Sequence, residues 1–191
     1  RLPPFLFHYI DGGAGSEASM AANHADLAAL PLRQRVLRDV ADIDTGACLF
    51  GTRHALPFGF APVGLAGMNA RRGEVQAARA AYTAGIPFCL STVSACSLEE
   101  VVGHTPGIPW FQLYVMRDRD FMAALLDRAE RAGCTVLVLT VDMPVPGIRY
   151  RDYRTGLAGA LGALGQARRI GQALLHPRWA WDVGLRGRPL N

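Results

Sequence analysis

The chain has 191 residues, half of them hydrophobic and 19% charged, enough to bury a real core and to exclude disordered and fibrous classes. Its net charge of +4 is uneven: residues 149–191 carry eight arginines against two aspartates, while residues 1–148 sum to −2. Positive charge confined to one segment, with no accompanying motif, argues against nucleic-acid binding.

All twenty basic residues are arginine, so chemistry that needs a lysine has to come from outside this sequence. No apolar run reaches the roughly 18 residues of a membrane-spanning helix. No basic leader follows Arg1, and a cytoplasmic protein is expected. Cys48, Cys89, Cys96 and Cys134 form no CxxC pair and have no histidine at zinc-site spacing, which predicts free structural thiols in a reducing compartment and no metal.

Residues 1–13 predict a short helix, with Pro3 and Pro4 near its start and Gly12-Gly13 at its stop. Residues 46–58 predict two short strands around Gly51-Thr52, a hairpin suited to closing the bottom of a barrel. From residue 57, short apolar runs alternate with amphipathic stretches, the pattern of parallel strands joined by crossover helices. Strands are expected over 57–63, 87–91, 110–115 and 135–142, and helices over 74–84, 98–102 (Ser97 as N-cap) and 120–132. Ala84-Gly85 and Ala132-Gly133 close two of these helices in the same way, marking successive βα units. Farther on, glycines at 156, 159, 162 and 165 are too many for a stable helix, and only a modest one is expected over 166–175.

Four βα units leave two completions of this α/β fold: an open doubly wound sheet, or a TIM (β/α)8 barrel of which only the N-terminal extension and first four strands are present. The loop Gly64-Leu65-Ala66-Gly67-Met68 lacks the three-glycine dinucleotide spacing, which disfavours the first. The expected layout is one incomplete domain, with residues 1–56 as extension, 57–142 as strands and helices, and 143–191 as a long active-site loop. Polar residues stand at strand ends, where a barrel enzyme puts its site: Ser91 and Thr92, Gln112 and Tyr114, Thr140 and Asp142. Strand period two places Gln112 with Tyr114, and Thr140 with Asp142, on one face each.

The stretches LPPFLFHYIDGGA (2–14), FAPVGLAGM (60–68), LSTVS (90–94), WFQLYV (110–115), LTVDMPVPGIRYRD (139–152) and HPRWAWDVGLRGRP (176–189) resemble the FMN-dependent L-2-hydroxy acid dehydrogenases and oxidases, most closely the bacterial respiratory members that oxidise L-lactate. The resemblance implies a (β/α)8 barrel with FMN as cofactor. It also implies oxidation of a small 2-hydroxy acid, L-lactate, to pyruvate, with electrons passed to a respiratory quinone. Pro62, Val63 and Gly64 would lie against the flavin ring, and Ser91, Gln112 and Thr140 would hydrogen-bond its polar edge. Arg149 and Tyr9 would hold the substrate carboxylate, while Tyr114 would act catalytically beside the hydroxyl carbon.

Each role has a plainer rival. Tyr9 also reads as packing, Ser91 and Thr140 as strand-end bonds to backbone, and Arg149 as one of a solvated basic cluster with Arg151 and Arg154. Gln112 in an apolar strand is harder to explain that way, because a buried amide without partners costs a few kcal/mol. Asp142 is left off the catalytic list. The family's base stands in a His-Gly-x-Arg motif that none of the five histidines matches, so this chain alone is expected to be inactive. Alternatives are an (S)-mandelate dehydrogenase, a glycolate or lactate oxidase, or a catalytically silent half-barrel. The run Pro146 to Asp152 favours lactate.

Residues 155–191 mix arginines with Leu174, Leu175, Trp179 and Trp181, a composition suited to an anionic bilayer surface. With the resemblance, this predicts a peripheral protein on the inner face of the cell membrane and a homotetramer; a flexible lid is the rival reading of the segment.

Overall fold

Alternating side chains in three short strands set the layout of the site. The computed structural model describes residues 1–142, 145, 147–159 and 162–187. Pro146 and Arg188, used in the sequence reading, lie outside them. Strands β3 (Cys89–Ser91), β4 (Trp110–Tyr114) and β5 (Leu137–Thr140) form a parallel sheet in the order β3-β4-β5. Ser91 pairs with Gln112, Phe111 with Leu137, and Tyr114 with Thr140. Paired residues point the same way, so Ser91, Gln112, Tyr114 and Thr140 share one face and Leu90, Phe111, Leu113, Leu137 and Leu139 share the other.

The apolar face packs on helices α4 (Gly73–Thr83), α5 (Leu98–Gly103) and α6 (Arg119–Arg131). Val75, Ala78 and Ala81 of α4, Leu98 and Val101 of α5 and Ala129 of α6 are buried in one cluster with Leu90, Phe111 and Leu113. Each large side chain so buried contributes about 1.5–3 kcal/mol. The helices start and stop where local chemistry dictates. Ser97 Oγ accepts the Glu100 N–H (3.1 Å), Asp118 Oδ1 accepts the Phe121 N–H (2.9 Å), and Gly85 and Gly133 turn the chain at φ +68° and +86°.

The expected strand over 57–63 is corrected to a single parallel bridge between Phe60 and Phe88. Phe60 donates to the Pro87 carbonyl (2.9 Å) and accepts from Cys89 (3.0 Å). Pro57 and Pro62 bring no N–H to extend that ladder. The hairpin forms as expected, from β1 (Ala47–Leu49) and β2 (Thr52–His54), but its turn is Phe50-Gly51, both at positive φ. A short α3 (Ala66–Asn69) follows the bridge.

These elements, spanning Thr45–Pro144 and joined by Trp181–Asn191, make one compact unit; Arg1–Asp44 with Val145–Ala180 make another. The latter holds α1 (Pro4–Asp11), α2 (Ala18–Ala28), α7 (Tyr150–Thr155), α8 (Ala163–Leu174) and α9 (Pro177–Trp179). A π-helical stretch, Ala180–Leu185, follows α9. Within this unit α1 packs on α7 and α8, with Phe5 and Leu6 buried and Phe5 edge-on to Trp179.

Glycine content did not stop α8, which carries Gly165 and Gly171 within it. The helix expected over 166–175 forms as α8 and begins three residues earlier, at Ala163. Interior glycines cost about 1 kcal/mol each, and tertiary contacts offset them: Gln172 accepts from the Phe5 N–H and donates to the Thr155 carbonyl, both at 3.0 Å. Gly156 and Gly159, at φ +88° and +74°, lie between α7 and α8.

Arg128 on α6 grips Glu99 on α5 through two hydrogen bonds, Nε to Oε1 at 2.8 Å and Nη2 to Oε2 at 2.7 Å. These bonds hold the Glu99 carboxyl at about 2, below its ordinary 4.5, although burial pulls the other way. A carboxyl lowered in the folded state stabilises fully above its unfolded value and loses that contribution as pH falls through the folded one. Both side chains are about half exposed, at 43% and 54%, which limits the pair to roughly 0.5 kcal/mol. In chemical denaturation, Glu99→Gln should be less stable than wild type by that amount at neutral pH, and the gap should close between pH 4.5 and pH 2.

Candidate cofactor and substrate sites

Gln112 lies at the centre of a hydrogen-bonded row across the polar face of the sheet, only 2% exposed. Its Oε1 accepts from Ser91 Oγ (3.1 Å) and from the Thr92 backbone N–H (3.2 Å). Its Nε2 donates to Thr140 Oγ1 at 2.7 Å. Thr92 Oγ1 donates to the Gln112 carbonyl, and Ser91 Oγ accepts the Val93 N–H at 3.2 Å. The amide plane is thereby fixed from both ends. One Nε2 hydrogen and the Thr140 hydroxyl hydrogen have no partner among the described residues.

Pro62 and Gly64 are partly buried in the loop after Phe60, and Val63 stands 57% exposed. The Leu65 N–H donates to the Val93 carbonyl (3.0 Å), joining that loop to the one after β3. Tyr114 is partly buried at the end of β4, on the same face as Gln112, whereas Asp142 is exposed beyond β5. A fused flavin ring presents a polar edge and apolar faces. Free donors on the polar face of the sheet, together with small apolar residues in the loop after Phe60, suit such a group.

The other unit holds Tyr9 and Arg149. The Arg149 guanidinium carbon sits 4.9 Å from the centre of the Tyr9 ring. Its Nη2 donates to the carbonyls of Tyr9 and Gly12, and its Nε lies 3.3 Å from Asp152 Oδ2. A cation at the C-terminal carbonyls of α1 is favoured by the helix dipole. Arg151 pairs with Asp11 (2.6 Å) and Glu17 (2.7 Å). Arg149 and Arg151 are thus fastened to α1 and the segment after it, which corrects the reading of a merely solvated basic cluster.

Thr92, one of the strand-end polar residues expected at the site, braces the amide row. Sequence reasoning missed the buried Glu74, whose place in the first turn of α4 reads locally as a solvated charge favoured by the helix dipole. Cys89 and Cys96 are buried and Cys134 partly so. Burial, then the neighbouring Cys134, pushes the Cys89 thiol up to about 11, which keeps it protonated at neutral pH.

Polar groups gathered at the carboxyl ends of parallel strands, with an apolar helix layer behind, define an α/β protein of the kind whose ligands bind at those ends. The profile of the FMN-dependent dehydrogenases matches residues 1–189. The L-lactate dehydrogenases of Stenotrophomonas maltophilia and Caulobacter vibrioides are each 61% identical over 99% of this chain and 49% of their own length; that of Alcaligenes faecalis is 59% identical with the same coverage. Among solved structures, a monotopic membrane protein, (S)-mandelate dehydrogenase, superposes with a TM-score of 0.88 at 35% identity, covering 99% of this chain and 50% of that one. A mandelate oxidase superposes at 0.77 with 44% identity over 82% of this chain and 46% of its own. The chain belongs to the FMN-dependent dehydrogenase family, whose members are TIM barrels. It spans about half the length of the curated relatives it matches.

Replacing Gln112 by leucine leaves Ser91, the Thr92 N–H and Thr140 without their partner. Unfolding in urea should show a loss of about 1–3 kcal/mol; a change within a few tenths would show that the row contributes no net stability.

Proposed function

We propose that the full-length protein oxidises L-lactate to pyruvate with FMN as cofactor, an assignment carried by about 60% identity to L-lactate dehydrogenases over nearly the whole chain. The supporting local observation is the pre-oriented row of Ser91, Gln112 and Thr140, with donors to spare. FMN, when bound, supplies the two-electron acceptor. Ser91, Gln112 and Thr140 hydrogen-bond its polar edge, and Pro62, Val63 and Gly64 give its ring an apolar support.

Arg149 binds the substrate carboxylate. Its Nη1 has no hydrogen bond among the described residues and is the group assigned that task. Tyr9 is assigned a phenolic hydrogen bond to the same carboxylate, and Tyr114 the hydroxyl carbon, where it stabilises charge as hydrogen leaves. The base is assigned to the part of the family fold that this chain does not span. Residues 1–56 serve as extension, 57–142 as the first half of the barrel and 143–191, expected as a loop but carrying α7, α8 and α9, as the long insertion, and the β5 edge, unpaired among the described residues, pairs with the next barrel strand.

Electron transfer to a respiratory quinone and assembly as a homotetramer follow the family resemblance. Contact with an anionic bilayer, on the inner face of the cell membrane, is assigned to residues 155–191. Ile170 and Leu174, one turn apart on α8, are both more than half exposed, and Arg168 and Arg178 lie nearby in sequence. The solved neighbour described as a monotopic membrane protein fits this reading, and no described helix is long and apolar enough to cross a membrane. A second reading, oxidation of an aromatic 2-hydroxy acid, is favoured by the mandelate enzymes among the solved neighbours at 35–44% identity.

The 191-residue chain, purified alone, should show neither flavin absorbance nor turnover of L-lactate with an artificial acceptor. Full-length protein should show both, and a faster rate with L-mandelate than with L-lactate would instead establish the second reading. In the full-length enzyme Arg149→Met should raise the KM for L-lactate by roughly 100-fold, as expected when a charged hydrogen-bonded pair is lost. An unchanged KM would remove Arg149 from the carboxylate site.

A further inference from the structure

We propose that Glu74 is a positioning residue for the cofactor face: its buried carboxyl group bonds the loop after β3 at Ala95 and packs against Gly67 in the segment after Phe60, fixing the surface that Pro62, Val63, Gly64 and Ser91 present. The proposal rests on the flavin reading above and adds to it a residue that touches neither cofactor nor substrate.

Glu74 is 2% exposed in the first turn of α4. Its Oε1 accepts the Ala95 N–H at 2.8 Å, holding the loop after β3. Cys96 lies beside it. Burial, then the neighbouring Glu74, pushes that thiol up to about 12, so it stays protonated at neutral pH. On the other side, Glu74 Oε2 is buried with no hydrogen-bond partner among the described residues. A Cβ on Gly67 would lie 2.7 Å from that oxygen and 2.7 Å from the Ala95 Cβ. Only glycine lets the loop after Phe60 sit this close to both.

That loop needs holding. Leu65 and Arg72 on either side of α3 both take left-handed φ, +56° and +52°, an arrangement that persists only where the surroundings over-determine it. Glu74, Val63, Ala66 and Ser91 line one cavity of about 180 Å3, so the clamp and the assigned flavin contacts share a wall. The nearest arginine in sequence, Arg72, is ion-paired with Glu100. Burying a carboxyl group with one oxygen unpartnered is costly where an apolar side chain would not be. A group that costly, spent on joining two cofactor-facing loops, acts by fixing their geometry.

The test uses full-length protein and the variants Glu74→Ala, Glu74→Gln and Gly67→Ala. FMN affinity is read by fluorescence quenching, flavin environment by the shape of the visible absorption bands, and loop order by amide hydrogen exchange without flavin. Glu74→Ala should weaken FMN binding on the order of ten-fold, the loss of one charged hydrogen bond. It should also alter the visible bands and speed exchange at Leu65 and Ala95. Glu74→Gln should recover part of the affinity, because its amide oxygen still accepts the Ala95 N–H. Gly67→Ala should weaken FMN binding with Glu74 in place.

Lowered thermal stability with wild-type FMN affinity and bands in Glu74→Ala would overturn the proposal and leave Glu74 a structural residue. Should that variant not fold, unchanged affinity in both Glu74→Gln and Gly67→Ala would overturn it equally. A wild-type protein that binds no FMN would sink the flavin reading instead, and exchange at Leu65 and Ala95 would then decide the clamp by itself.

Discussion

A primary amide brings two donor hydrogens and a two-fold acceptor, and burying it in an apolar sheet is tolerable only when neighbours satisfy it. Gln112 meets that condition, but for one Nε2 hydrogen, through the register of three strands. Ser91 lies directly opposite on β3, and Thr140 lies two residues beyond its opposite number, Val138, on β5. A one-residue slip of β5 would turn Thr140 to the helix face and bring Leu139 or Val141 to the amide. The same register puts Leu90, Phe111 and Leu113 on the helices. Core packing and polar row therefore enforce each other.

This coupling explains which elements could be read from the residues. The helices α4, α5 and α6 and the strands β3 to β5 follow from apolar periodicity and from signals that act locally, such as Ser97 as N-cap and Gly85 and Gly133 as stops. Residues 57–63 misled because their apolar run is strand-like, while ladder pairing also needs N–H groups that Pro57 and Pro62 lack. Helix α8 misled in the opposite sense: its glycines predict weakness, and only the distant Phe5 and Thr155, bonded to Gln172, show what holds it. Nothing in the run 14–45 marked α2, none of whose residues is buried.

For the site, polarity against an apolar background was the legible signal. Ser91, Gln112 and Thr140 stood out on that ground, and they form one bonded row. Glu74 gave no such contrast, because an acidic residue in a first turn is what a solvated helix shows as well. Its burial arises from Ala95, Cys96 and Gly67, two of which lie more than twenty residues along the chain. Arg149 was singled out by family resemblance alone, since its spacing from Arg151 and Arg154 describes a solvated face equally well. Its contacts to Tyr9 and Gly12 depend on the return of the chain to α1 after some 140 residues, while that to Asp152 is local.

The all-arginine composition bears on how such distant returns are fixed. A guanidinium offers five donors in a rigid plane, whereas an ammonium is a point charge on a flexible stem. Arg149 reaches two carbonyls and a carboxylate, Arg151 two carboxylates, and Arg128 both oxygens of Glu99. Each contact fixes direction as well as distance, which a lysine at the same place would not. Where Arg149 is concerned, that fixity has a chemical consequence. An arginine already bound by Nε and Nη2 presents Nη1 in a set orientation, so in the role proposed for Arg149 the ordering of its long side chain would be settled in folding, before any ligand arrives.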